Sequence, residues 1–126
     1  MPDRSAGAVR VIDSAVEGRE LPIIEGPGSA RAVVGPHSGA RFRSFQRIDL
    51  GPGGATIPLS HASDSVYYVI AGTGAIVDLA SGEEHPLSEG TMVHIDAGDR
   101  YRFTSASGDL KLLGGPCPAD PDVSAG

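Results

Sequence analysis

Few side chains in this sequence can exchange a proton near neutral pH, because it contains four histidines, three tyrosines and one cysteine. His61 has the most informative surroundings, since it follows a Gly/Pro turn and precedes an apolar run at 66–70. An imidazole in such a place can act as a general base. Tyr67 and Tyr101 can each donate a hydrogen bond to an oxygen that becomes negatively charged in a dry pocket. These residue types together indicate acid–base chemistry on a carbonyl compound.

The other histidines and the cysteine are weaker candidates. His37 lies in a Gly/Pro loop and His85 precedes a proline in a hairpin arm, so we expect both at the surface. His94 lies on the less apolar face of its strand, so we expect it to point outward. If it pointed inward, it could join His61 and a carboxylate or tyrosine in a metal site. Cys117 lies in a stretch too rich in turns to hold a nucleophile firmly, and we interpret it as a surface or capping thiol.

Length, charge and cysteine content limit the class of protein. The chain has 126 residues, enough for one domain, with a core expected at about 30–114 and flexible ends at 1–7 and 118–126. Its net charge of −6 makes a nucleic-acid partner a poor hypothesis. A single cysteine cannot form an internal disulfide. We find neither an apolar run of the ~18 residues that a membrane span needs nor a signal peptide, so we expect a cytoplasmic protein with no membrane partner.

Short apolar runs separated by turns predict an all-β fold. The 18 glycines and 10 prolines are spread between these runs, and no segment shows an apolar period of 3.6 residues. This pattern is typical of a sandwich or a closed barrel, and a small barrel can hold one small ligand. A turn is predicted at 72–74. Strands are predicted at 9–12, 30–34, 41–50, 66–70, 75–79, 84–88, 91–95, 100–105 and 109–113.

The turns and strand ends of this chain resemble those of the cupin family. Pro52-Gly53 matches the turn that opens the first cupin motif, Pro58 the proline before its ligand pair, and residues 68–72, YVIAG, its strand end. Gly90 and Asp96-Ala97-Gly98 match the corresponding glycine and PxG turn of the second motif. The similarity covers about residues 44–113. It implies a cupin-type antiparallel β-barrel, also called a jelly roll or double-stranded β-helix, and a homodimer, since cupins commonly dimerise.

The metal-ligand positions of the family are poorly preserved here. The resemblance places Leu59, His61, Ser65 and Tyr101 where cupins hold their metal with two histidines, a glutamate and a third histidine. Only His61 is a good ligand, whereas a stable transition-metal site needs about three or four protein ligands. We therefore expect no metal ion and no other cofactor. A metal-dependent oxygenase or lyase with a rearranged site remains an alternative.

Strand alternation, combined with the resemblance, predicts which side chains line the barrel. The catalytic candidates are His61, Tyr67 and Tyr101. Gln46 points inward if the arginines of its strand face solvent. The side chains predicted to bind a ligand are Gln46, Leu59, Ser65, Val69, Phe103 and Ser105. A mostly apolar cavity with a few convergent polar groups is the usual form of a small-molecule site.

Two functions fit this predicted pocket. The first is a metal-independent isomerase, dehydratase or cyclase that acts on a small carbonyl compound through His61 and a tyrosine. Metal-poor cupins include cyclases and isomerases of natural-product biosynthesis, so the resemblance permits this activity. The second is a non-catalytic small-molecule-binding or regulatory barrel, in which His61 only satisfies a tyrosine hydroxyl. In both cases the partner is a small molecule.

Overall fold

The fold consists of antiparallel strands. The computed structural model describes residues 9–38, 40 and 42–118. Within them lie ten strands and one short 3₁₀ helix, Pro36–Ser38. The strands are β1 Arg19–Glu20, β2 Ile24–Glu25, β3 Gly28–Val34, β4 Phe45–Leu50, β5 Ala55–Thr56, β6 Ser65–Asp78, β7 Glu84–Ser88, β8 Met92–Ile95, β9 Tyr101–Thr104 and β10 Leu110–Pro116. Their pairings are all antiparallel, which confirms the predicted all-β class. No helix among the described residues is long and apolar enough to cross a membrane.

The long strand β6 connects the two halves of the sheet. Its first half pairs with β10 and β8, and its second half pairs with β9 and β7. Gly72 lies at the change of partners with φ of 88°, a conformation that side chains disfavour, and a Cβ at this position would collide with the Asp109 carbonyl. The bend at this glycine turns one strand from one wall of the barrel into the other.

The sheet curls so that its inner face becomes the core. Its strands follow the order β1-β3-β4-β10-β6-β9-β5-β2. The segment between β1 and β2 links the two ends, because the Leu21 N–H donates to the Ala30 carbonyl and the Ile57 N–H donates to the Ile23 carbonyl, each at 2.8 Å. The inner side chains that are fully buried include Ile48, Leu50, Tyr67, Val69, Phe103, Leu110 and Leu112.

Several predicted strand limits are wrong. Residues 9–12 form no strand, and Val9 and Val11 are each 91 % exposed, because no described strand pairs with this segment. The strand predicted from 41 begins at Phe45. The turn predicted at 72–74 lies inside β6, because Gly72 and Gly74 permit a bend without a break in pairing. The ends predicted to be flexible lie outside the described residues, except for Pro118.

The end of β10 brings distant side chains together. Gly114 pairs with Gln46 of β4 on one side and with Tyr67 of β6 on the other. A side chain at Gly114 would collide with the β6 backbone, so none separates these two strands at that level. Gln46 and Tyr67 can therefore meet across β10.

Candidate functional site

His61 and Tyr101 form a short polar contact between two buried side chains. Leu59 and Tyr101 exchange two backbone hydrogen bonds, Leu59 N–H to Tyr101 C=O at 2.7 Å and Tyr101 N–H to Leu59 C=O at 2.9 Å. The His61 carbonyl accepts from the Gly98 N–H at 2.8 Å. These bonds fix the chain on both sides of the histidine. His61 Nε2 consequently lies 2.6 Å from Tyr101 Oη, with the two side chains buried.

The contact continues into a chain of four buried polar side chains. The Tyr101 and Tyr67 hydroxyl oxygens lie 3.0 Å apart, and the Tyr67 hydroxyl donates to Gln46 Oε1 at 3.1 Å. We call this set, His61–Tyr101–Tyr67–Gln46, the polar chain. Hydrogen bonds in a low dielectric are strong and polarise one another. The polar chain can therefore transmit a change at one end to the other.

Aromatic and apolar side chains pack against the polar chain. The Phe103 ring packs edge-on against Tyr67 and Tyr101, with ring centroids 4.9 Å and 5.5 Å away. Leu59 and Val69 are buried in the same core cluster. Burial raises the pKa of the Tyr67 hydroxyl from its ordinary value of 10.0 to about 12, and the hydrogen bond with Tyr101 offsets part of this increase. Tyr67 therefore stays protonated at physiological pH and acts as a hydrogen-bond donor.

The structure buries every predicted site residue, but it does not gather all of them. Gln46, Tyr67, Tyr101 and His61 are joined in the polar chain. Two buried atoms of predicted site residues, Gln46 Nε2 and Ser65 Oγ, have no hydrogen-bond partner among the described residues. Ser105 lies apart, where its hydroxyl contacts the Gly51 and Gly108 carbonyls at the end of the barrel. Its place in a ligand site stays a prediction.

The four positions that the resemblance assigns to a metal do not fit one. Leu59 offers no donor atom, and His61 Nε2 is already bonded to Tyr101. Ser65 Oγ is a neutral and weak ligand. Among the described residues, no three His, Cys, Asp or Glu side chains are grouped closely enough to hold a metal ion.

His94 does not rebuild a metal site with His61. It pairs with Val66 of β6, whose side chain faces outward, so His94 lies on the outer face of β8 as expected. Its ring nitrogens lie 3.5 Å from Asp96 Oδ1 and 3.9 Å from Asp64 Oδ2, on the surface. The inward orientation that a metal site at this position requires is not observed.

A cleft of about 150 Å³ reaches the polar chain at Tyr101. Its apolar walls are Ile76, Val93 and Ile95. The strand register pairs Val93 with Tyr67 and Ile95 with Ser65, so these walls belong to the inner face of the barrel. Tyr101 is thus a member of both the polar chain and the cleft lining.

Charged and polar side chains around this cleft were missed by sequence reasoning. Asp78, His85, Asp99 and Arg100 line it, although His85 was expected to be a plain surface residue. The alternation of β7 contains the relevant signal, because His85 shares its face with Leu87, which is buried. His85 remains exposed, and its imidazole lies 3.6 Å from Glu83.

Fold and site together define a class: small antiparallel barrels with an inward-facing polar group reached from a cleft. The chain belongs to the cupin family, because the family model described as "Cupin domain" matches residues 46–113, more than half of the chain. This result confirms the resemblance seen in the turn and strand motifs.

The known proteins similar to this chain include one synthase and many cupin structures. A segment of 57 residues is 32 % identical to an L-ectoine synthase of Desulfosudis oleivorans, and the match spans 45 % of this chain and 42 % of that protein. A predicted oxalate decarboxylase of Thermotoga maritima has a TM-score of 0.69 and 20 % identity over 87 % of this chain and all of that one. The polyketide cyclase RemF of Streptomyces resistomycificus has a TM-score of 0.68 and 18 % identity over 98 % of this chain and 84 % of its own. At such identities the two structures show a shared fold.

Proposed function

We propose that this protein is an enzyme that moves a proton on a small carbonyl compound without a metal ion, as isomerases, dehydratases and cyclases do. The observation that carries the proposal is the 2.6 Å contact between His61 Nε2 and Tyr101 Oη, buried beside a cleft that Tyr101 lines. An imidazole and a phenol in contact provide a general base and an oxyanion donor in one unit.

In the proposed reaction, the Tyr101 hydroxyl donates a hydrogen bond to the carbonyl oxygen of the substrate. His61 accepts a proton from the carbon next to that carbonyl, and the C–H electron pair becomes the C=C bond of an enolate. The imidazolium then returns its proton to another carbon in an isomerase, or to a departing hydroxyl in a dehydratase. In a cyclase the enolate first attacks a second carbonyl of the same molecule, and the new alkoxide takes the proton.

The cleft favours a small substrate with an apolar body. Its volume of about 150 Å³ equals that of an apolar protein cavity known to hold benzene. Ile76, Val93 and Ile95 would contact the apolar part, while Arg100 at the edge can meet a carboxylate or other anionic group. The relative named L-ectoine synthase supports an enzyme of small-molecule metabolism, and the fold is shared with a polyketide cyclase. We place the activity in natural-product biosynthesis on the same grounds.

Deuterium exchange tests the proposal without a known product. The protein would be incubated in D₂O with a panel of cyclic ketones and β-keto compounds, and loss of the proton next to the carbonyl followed by NMR. We expect His61→Ala to slow exchange by about 10²- to 10⁴-fold, the usual contribution of a general base. His37→Ala is the matched control, since that histidine lies outside the cleft and the polar chain. Full exchange by His61→Ala would remove His61 as the base.

A binding or regulatory barrel is the second candidate. It is favoured by the mutual satisfaction of His61, Tyr101 and Tyr67, since groups that bond one another need no reacting partner. A compound that raises the melting temperature in proportion to its concentration, yet undergoes no exchange or turnover, would support this candidate over the enzyme.

We also propose that two copies of the chain associate through the outer face of the barrel. Val66, Tyr68 and Met92 form an exposed apolar row on β6 and β8, where soluble monomers usually carry polar residues. A twofold axis would place this row against its own copy. Light scattering after size exclusion should give twice the chain mass, and Met92→Lys should give a monomer. A wild-type monomer at high protein concentration would contradict this proposal.

A further inference from the structure

Asp78 brings a carboxylate to the cleft at the level of Tyr101. It ends β6, and its Cα is the direct partner of Tyr101 in the antiparallel pairing with β9. Residues directly opposite in such a pair have side chains on the same face, with Cβ atoms about 5 Å apart. Both residues line the cleft, and Asp78 is half-buried there. A negative charge therefore lies beside the tyrosine of the proposed reaction.

One oxygen of this carboxylate is engaged, and the other is not. Asp78 Oδ1 accepts from the backbone N–H groups of Ala80 and Ser81, at 2.9 Å and 3.4 Å, and these bonds hold the side chain in place. Oδ2 has no hydrogen bond or ion pair with the part of the chain that the structure describes. An ordered carboxylate with one unused oxygen is a ready acceptor for a charged donor.

No described side chain of the cleft forms an ion pair with Asp78. The two histidines of the cleft lie beside surface carboxylates of their own. Arg100 forms no ion pair within residues 9–38, 40 and 42–118, and Asp99 adds a further negative charge to the lining. With two carboxylates against one guanidinium, the cleft attracts a cationic group more than an anionic one.

We propose that Asp78 is a specificity-determining residue, and that the compound bound in the cleft carries a protonated amine as well as a carbonyl group. The ammonium donates to Asp78 Oδ2, while the apolar body of the compound contacts the isoleucine and valine walls. An ammonium has three N–H donors and no acceptor, which matches an oxygen that can only accept. The carbonyl part rests on the proposed function, and the amine narrows the substrate class to small amino-carbonyl compounds.

Two matched probes test this preference without turnover. Cyclopentylamine, which is protonated at neutral pH, and cyclopentanol share one apolar body. The ¹H–¹⁵N correlation spectrum of the full-length protein would be followed as each is added. We expect the amine to bind about tenfold more tightly than the alcohol, a value between those of an exposed and a buried charged hydrogen bond. Added salt should weaken the binding of the amine and not that of the alcohol.

A pair of variants separates the charge of Asp78 from its role in the turn. Asp78→Asn keeps an oxygen that can accept from the turn N–H groups, so the fold should persist while the tenfold preference for the amine disappears. Asp13→Asn is the matched control and should keep the preference. Asp13 Oδ1 likewise accepts from the N–H two residues on, that of Ala15 at 3.0 Å, but Asp13 lies outside the cleft.

Equal affinity of the wild type for the two probes would overturn the proposal, and so would a preference that survives in folded Asp78→Asn. If Asp99→Asn loses the preference instead, the ammonium binds at that carboxylate and the role of Asp78 is refuted. If Asp78→Asn fails to fold, the comparison of probes on the wild type still decides, together with Asp78→Ser, whose hydroxyl can also accept from the turn.

These outcomes are distinguishable from failure of the proposed function. Absence of deuterium exchange on every carbonyl compound would refute the proposed enzyme and leave the preference for the amine intact. Exchange on neutral ketones by a protein that shows no preference for the amine would refute the role of Asp78 and leave the enzyme intact.

Discussion

Tyr67→Phe is the substitution that most directly probes the buried polar chain. It deletes the central hydroxyl and with it two hydrogen bonds, to Tyr101 and to Gln46. Each bond is worth about 1 kcal/mol net, and the Gln46 oxygen left unpaired in the core costs on the order of 1 kcal/mol more, which gives a loss of about 3 kcal/mol. For a domain of this length, the melting temperature should fall by roughly 12 °C.

The neighbouring residue supplies the control for this measurement. Tyr68 is 41 % exposed on the outer face, and its hydroxyl forms no hydrogen bond with the described residues, so Tyr68→Phe should change the free energy of unfolding by less than about 0.5 kcal/mol. Urea denaturation of both variants and the wild type, with m-values compared, gives the difference. If the two variants are equally stable, the tyrosine hydroxyl at position 67 contributes no net hydrogen bonding and the energetic reasoning is refuted.

Two further predictions concern pH and a backbone position. Because the pKa of folded Tyr67 is raised from 10.0 to about 12, the stability that its protonated form contributes is complete below pH 10 and lost as pH rises from 10 to about 12. Urea denaturation across that range should show the loss in wild type and a smaller one in Tyr67→Phe; identical pH curves would contradict it. Gly72→Ala should destabilise the fold by roughly 3 kcal/mol or more, through backbone strain and collision with the Asp109 carbonyl. Gly82→Ala, with a similar φ of 80° but open space around it, should cost only about 1 kcal/mol, and equal losses would refute the collision.

The sequence predicts which side chains face the inside of the barrel better than it predicts which residues contact each other. Period-two alternation and the turn motifs correctly place Gln46, Tyr67 and Phe103 on the inner face, because the pattern of a strand is local. The sequence does not reveal that two predicted strands form one continuous strand, β6, because a pair of glycines is compatible with a turn and with a bend. Whether Gly72 bends or turns depends on the carbonyl of Asp109 packed against it, which is distant in sequence.

The limit of predicting contacts from local sequence patterns applies more strongly to the site. His61 and Tyr101 can be named from the motif positions, yet their 2.6 Å contact and its continuation to Gln46 depend on register across three strands. The cleft depends on packing between β6, β7 and β8, so Arg100 and His85 carry no signal of their role beyond alternation. Local patterns indicate which side chains face inward, and long-range pairing decides which of them touch.

The most direct test of the central claim is deuterium exchange by chelator-treated protein, with wild type compared to Tyr101→Phe. The claim is that the His61–Tyr101 pair moves a substrate proton without a metal. Exchange next to the substrate carbonyl should survive removal of metal ions and fall about 10²- to 10³-fold in Tyr101→Phe, the usual effect of losing one oxyanion donor. Exchange that disappears on chelation and returns with added metal, or that Tyr101→Phe leaves unchanged, would contradict it.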